Sequence, residues 1–150
     1  MKRDPHFVAL ERMYVVAPIN QIYLPRIEVA EGTTTIEIDV SERYHHAAGG
    51  VHGSVYFKLL DDAAFFAANS LERELFVLTT SFTVYLTRPV TSGTMRAEGR
   101  VVDRTRSQFI AESVVRDGDG REVGRGSGVF FRGKLRLREI ASYRGALESA

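Results

Sequence analysis

Hydrophobic positions along this chain follow two periods. From Pro5 to Val16, apolar side chains recur at three- and four-residue steps (Phe7, Val8, Leu10, Met13, Tyr14) with Glu11 and Arg12 between them, which predicts a helix ended by Pro18. Residues 19–29 contain Pro25 and read as an extended lead-in. Thr33 to Val40 alternates and is β-branched, which predicts a strand with Ile36, Ile38 and Val40 on one face. The loop RYHHAAGGVHGS follows, with three of the four histidines. Beyond it, VYFKLLDDAAFFAANS is apolar almost all the way around a helical wheel, so this helix must be enclosed by other elements. Residues 76–87, 93–106, 107–116 and 121–132 read as four strands. Asp117-Gly118-Asp119-Gly120 marks a hairpin, because Asp-Gly tolerates the positive φ of tight turns; Arg104-Thr105-Arg106-Ser107 reads as a second, without glycine. The tail from Gly133 is amphipathic and reads as a terminal helix or a frayed end. Helix, strand, long buried helix and four antiparallel strands predict an α+β fold, one central helix wrapped by a curved antiparallel sheet.

At 150 residues, with 44% apolar and 26% charged side chains, the chain reads as one domain able to build a core without staples. There are no cysteines, which excludes a disulfide scaffold, a cysteine zinc site and a thiol nucleophile. The net charge of +1 argues against nucleic-acid binding. No apolar run approaches the ~20 residues of a membrane helix, and the charged N-terminus has no signal-peptide core. A cytoplasmic protein with no membrane partner is the expectation. The charge is uneven: residues 1–75 carry 7 basic and 11 acidic side chains, residues 76–150 carry 13 and 8.

The candidate chemistry lies where the histidine loop meets the long helix. Gly53 and Ser54 open that helix, so their N–H groups are unpaired at the positive end of its dipole and suit a developing oxyanion. Asp61 and Asp62 place carboxylates in an otherwise apolar helix, and a buried carboxylate is costly unless partnered. Lys58, Asp62, Phe65 and Asn69 share one helical stripe, which reads as the solvated face and makes Asp62 the exposed aspartate. Asp61, about 100° away, lies nearer the apolar faces of Leu60 and Ala64. His45, His46 and His52 lack metal-ligand spacing, so no metal is expected, and His52 reads as a residue that orients the helix start. Ser54 sits in no nucleophile elbow, and neither a phosphate loop nor a dinucleotide fingerprint is present. Tyr56, Phe57, Phe65, Phe66, Phe82 and Tyr85 read mostly as ordinary core, with an acyl pocket as the alternative.

His46-x5-His52-Gly53-x7-Asp61, followed by Ala64 and Asn69, resembles the hotdog-fold thioesterases of the phenylacetate-degradation (PaaI-like) group. The likeness continues through Leu78-Thr79-Thr80, Arg88-Pro89, Gly93-Thr94-Met95-Arg96-Ala97-Glu98 and the Asp117–Gly120 hairpin, over about residues 33–132. The resemblance implies a hotdog fold and hydrolysis of acyl-CoA thioesters without a cofactor, by homodimers or homotetramers whose sites lie between subunits. It implies that the Gly53 N–H polarises the thioester carbonyl and that Asp61, from the partner subunit, is general base or nucleophile. The family's hydrogen-bonding Ser or Thr matches Thr79, with Thr80 the alternative, since the two lie on opposite faces of a strand. His46 and His52 complete the catalytic set; the family often has asparagine where this chain has His46, and glycine where it has Ser54.

On this reading residues 1–150 form a single hotdog thioesterase domain, with a core over about 19–132, an N-terminal helix at 5–17 and a tail at 133–150. Ser54, Thr80, Arg88, Arg104 and Arg106 are expected to bind substrate, the arginines holding the phosphates of coenzyme A. A non-catalytic acyl-CoA-binding hotdog module and a hotdog hydratase or dehydratase are the alternatives.

Overall fold

In the computed structural model, which describes residues 2–150, the apolar helix runs from Gly53 to Leu71 (α3). A sheet wraps it, built of β1 (Arg26–Ala30), β2 (Thr33–Asp39), β3 (Leu75–Leu86), β4 (Thr94–Arg104), β5 (Gln108–Arg116) and β6 (Glu122–Arg136). The order is β1-β2-β4-β5-β6-β3 and every neighbouring pair is antiparallel. Both expected hairpins form, joining β4 to β5 and β5 to β6. Gly120 takes the positive φ of 82° that closes the second.

The sheet curves around α3 because its inner face is small where the helix comes closest. Gly99 of β4 pairs with Ser113 of β5 directly under α3. Ser113 Oγ donates to the Leu60 carbonyl at 2.7 Å, and a Cβ on Gly99 would collide with the Ala63 carbonyl. Helix backbone therefore rests on sheet backbone at this point. Larger side chains (Ile36, Ile38, Met95, Val115, Phe109, Phe130) fill the space to either side and are fully buried.

Two segments differ from expectation. Residues 19–29 are not wholly extended. Asn20–Tyr23 (α2) makes one helical turn, closed by Leu24 in the left-handed region, and β1 begins right after Pro25, which needs no ladder N–H there. The last strand passes residue 132 to Arg136, because β3 begins early enough for Leu75 to pair with it. Of the two readings of the tail it is the terminal helix that forms: Ala141–Glu148 (α4) docks on Pro5–Val16 (α1), the first helix, which forms as predicted.

His6 and Tyr143 make that docking specific. The Asn69 carbonyl can only accept, so His6 Nε2–H donates to it at 2.9 Å, and Nδ1 accepts from the Tyr143 hydroxyl at 2.7 Å. This arrangement uses the neutral ring, and burial, the dominant cause, holds the His6 pKa below its ordinary 6.5. The unfolded chain then binds the proton first. The contribution to stability is full above pH ~6.5 and is lost as pH falls. We expect the urea midpoint to drop between pH 7 and pH 5, and to drop less in His6→Gln. Parallel pH dependences in the two proteins would remove His6 from this role.

Candidate functional site

His52 precedes α3 as its N-cap. Its Nδ1 accepts from the Ser54 N–H at 3.1 Å and lies 2.8 Å from Ser54 Oγ, so histidine does here what serine or aspartate usually does. That leaves the Gly53 N–H, at the first helical position, without a partner among the described residues. The loop that delivers Gly53 is stitched to the segment after β3. Val51 N–H donates to the Val90 carbonyl, His45 Nε2 lies 2.9 Å from the Thr91 carbonyl, and the Tyr56 hydroxyl donates to the Arg88 carbonyl. A cleft of about 290 Å³ opens beside Gly53, lined also by His46, Tyr56, Leu86 and Arg88. His46 Nδ1 accepts from the Ala48 N–H at 3.1 Å, so a neutral His46 carries its proton on Nε2.

Asp61 sits two turns along α3 and points toward β3. Thr79 Oγ1 donates to its Oδ1 at 2.9 Å. Thr80 lies on the opposite face, where its hydroxyl donates to the Val129 carbonyl. Of the two threonines it is thus Thr79 that reaches the carboxylate. Burial, the largest influence, raises the Asp61 pKa to about 6; the Thr79 hydrogen bond and Lys58 oppose the rise and Asp62 adds to it.

The expectation of a solvated stripe through Lys58, Asp62, Phe65 and Asn69 is wrong. Asn69 is fully buried and spans three backbone partners: its amide donates to the Glu72 and Leu75 carbonyls and its Oδ1 accepts from the Val77 N–H. Asp62 is not the exposed aspartate either, since the Tyr14 hydroxyl and the Lys58 ammonium each donate to its Oδ2 at 2.6 Å. The reason is that α1 lies over this face of α3, which no periodicity within α3 reports. Tyr14 is therefore a site residue that sequence reasoning missed. Of the aromatic residues, Tyr56 and Phe66 are core, whereas Phe57 and Tyr85 are exposed.

The three candidate phosphate-binding arginines do not gather in one place on the chain. Arg88 borders the Gly53 cleft. Arg104 lies near Leu71, at the far end of α3, and Arg106 is in the β4–β5 turn beside it. None of the three is in an ion pair among the described residues. Arg96, Arg100, Arg116, Arg121, Arg125 and Arg132, by contrast, are paired with carboxylates, but only Arg96 and Arg132 reach carboxylates of the first half (Glu37 and Glu72), so the pairs leave most of the positive excess of the second half in place. Among the described residues, no cluster of three or more histidine or carboxylate side chains is placed to hold a metal ion.

The family described as the thioesterase superfamily matches residues 48–124, just over half of the chain and the stretch that holds Gly53, Asp61 and Thr79. No curated protein matches. Among solved structures, the E. coli PaaI protein from the phenylacetic acid degradation operon is 19% identical with a TM-score of 0.80, over 88% of this chain and 96% of that one. A conserved protein of Pseudomonas aeruginosa is 22% identical with a TM-score of 0.76, over 81% of this chain and 98% of that one. A mutant of the phenylacetic acid degradation protein PaaI from Thermus thermophilus is 20% identical with a TM-score of 0.71, over 78% of this chain and 100% of that one. At these identities the likeness is one of fold.

Proposed function

We propose that this chain, which belongs to the thioesterase superfamily and has the hotdog fold, hydrolyses acyl-CoA thioesters to the free acid and coenzyme A. The carrying observation is Asp61: a half-buried carboxylate with a pKa raised to about 6, anchored by Thr79, on the helix whose first N–H has no partner among the described residues. An unusually basic carboxylate in a site without thiol chemistry suits activation of water. Gly53 N–H donates to the thioester carbonyl oxygen, and Asp61 takes a proton from water as the water oxygen attacks the carbonyl carbon. The C–S bond then breaks, and the thiolate of coenzyme A takes up a proton as it leaves. In the nucleophilic variant the Asp61 carboxylate attacks the carbonyl carbon, the C–S bond breaks with departure of the coenzyme A thiolate, and water hydrolyses the resulting anhydride to the free acid and the Asp61 carboxylate. His46 Nε2–H, beside the Gly53 cleft, can donate to the carbonyl or orient the water, and Arg88 there suits a phosphate of coenzyme A.

Helix geometry supports a shared site. Eight residues separate Gly53 from Asp61, about 12 Å of rise, too far for both to act on one carbonyl within a subunit. A second copy closes the gap. Strand β3 ends the sheet, is 12 residues long, and exposes Leu78, Tyr85 and Leu86. A long, partly apolar edge of that kind calls for a partner strand. We expect sedimentation at micromolar concentration to show a dimer or tetramer; a strict monomer would contradict the shared site. The test of activity is release of free thiol from a panel of hexanoyl-, decanoyl- and benzoyl-CoA. Turnover of at least one is expected, and binding without turnover would make the chain a non-catalytic module.

A further inference from the structure

Asp61 and Asp62 are adjacent on α3, yet they are held by different neighbours. Thr79 of β3 holds Asp61, and Tyr14 of α1 holds Asp62. Lys58, one turn earlier, is bound into the second arrangement. Its ammonium lies 2.6 Å from Asp62 Oδ2, 5.3 Å from the centre of the Tyr14 ring and 5.2 Å from that of Tyr23. Only 13% of the Lys58 side chain and 19% of that of Asp62 remain exposed, so this ion pair is more rigid and less screened than a surface pair. Tyr14 and Tyr23 come from the segment before residue 48, outside the stretch that matches the thioesterase superfamily.

From this geometry we propose that Asp62, Lys58 and Tyr14 are positioning residues, through which the N-terminal helix holds a fixed ion pair beside the reacting carboxylate and so governs its charge. This inference rests on the role given to Asp61 above. The charged groups that act on Asp61 are Asp62 and Lys58 of α3; β3 presents the uncharged Thr79, and α1 acts through the Tyr14–Asp62 bond. Asp62 disfavours ionisation of Asp61 and Lys58 favours it. The two halves of the ion pair thus pull in opposite directions, and the balance between them is what α1 maintains.

The test is the pH dependence of kcat/KM for the S-hexanoyl thioester of N-acetylcysteamine, which carries no titrating phosphate. Activity needs ionised Asp61, so the acid limb reports its ionisation in the free enzyme. Asp62→Asn is expected to move that limb to lower pH and Lys58→Met to higher pH, each by roughly half a pH unit or more. Tyr14→Phe keeps a ring over Lys58 but removes a donor from Asp62, leaving its charge less compensated, and moves the limb upward. Lys58→Arg returns it toward wild type. A purely structural cluster would lower melting temperatures without shifting the limbs in opposite directions. Limbs that coincide with wild type, or that move the same way in Asp62→Asn and Lys58→Met, overturn the inference while leaving the activity intact. If one variant fails to fold, the sign of the other's shift decides. Full turnover by Asp61→Asn would instead remove the premise.

Discussion

Asp61→Asn is expected to lower kcat/KM for acyl-CoA by two orders of magnitude or more and, at pH 7.5, to raise the melting temperature. Asn keeps the shape and an oxygen for the Thr79 hydroxyl, but it can neither take a proton from water nor attack a carbonyl. The stability gain follows from the same burial that raises the Asp61 pKa. The unfolded carboxyl ionises near 3.8 and the folded one near 6. Folding is therefore penalised as pH rises through this window; the penalty is absent below about 3.8 and complete above about 6. Discounting for the solvent that reaches the group, it is worth roughly 1–2 kcal/mol, a few degrees for a chain of this size. The gain should disappear at pH 4, where the wild-type carboxyl is largely neutral in the folded state. An Asn variant with near wild-type turnover would end the assignment of Asp61. One that is inactive yet gains no more stability over wild type at pH 7.5 than at pH 4 would mean that Asp61 is not buried at that cost.

Gly99→Ala should be among the most damaging single-methyl changes available to this fold. The added Cβ meets the Ala63 carbonyl and the Ala64 nitrogen, both backbone groups of a helix with no exposed surface at those residues. The helix cannot lift away without breaking the bond from Ser113 Oγ to the Leu60 carbonyl. Overpacking of flexible side chains costs about 1–3 kcal/mol; backbone against backbone should exceed ~3, or roughly 6–12 °C in melting temperature. Gly145→Ala is the control. Its Cβ meets nothing within 4 Å, and alanine favours the helical state of α4. Similar melting temperatures for the two variants would show that α3 does not rest on β4 as described.

Most elements of this protein and the place of its candidate site are legible in the chain, because both are written largely in local signals. The period of α3, the alternation of β2, the Asp-Gly turn and a glycine at the helix start after a capping histidine each depend on residues a few positions apart. Gly53 and Asp61 stand out by residue type and place on the helix, whereas the threonine pair at residues 79 and 80 is implied only by the resemblance to the PaaI-like thioesterases. The short β1 was hidden because five residues behind a proline carry too little pattern to announce a strand. What the linear order could not contain is which side of α3 faces what. Thr79 rather than Thr80 meets Asp61 from 18 residues away, and Tyr14 meets Asp62 from 48 residues away. Those pairings turn an apparently solvated stripe into a covered one, and they separate two neighbouring aspartates into different environments. Burial and charge belong to the packed surroundings of a side chain, so they came into being only when α1 and the sheet closed over α3.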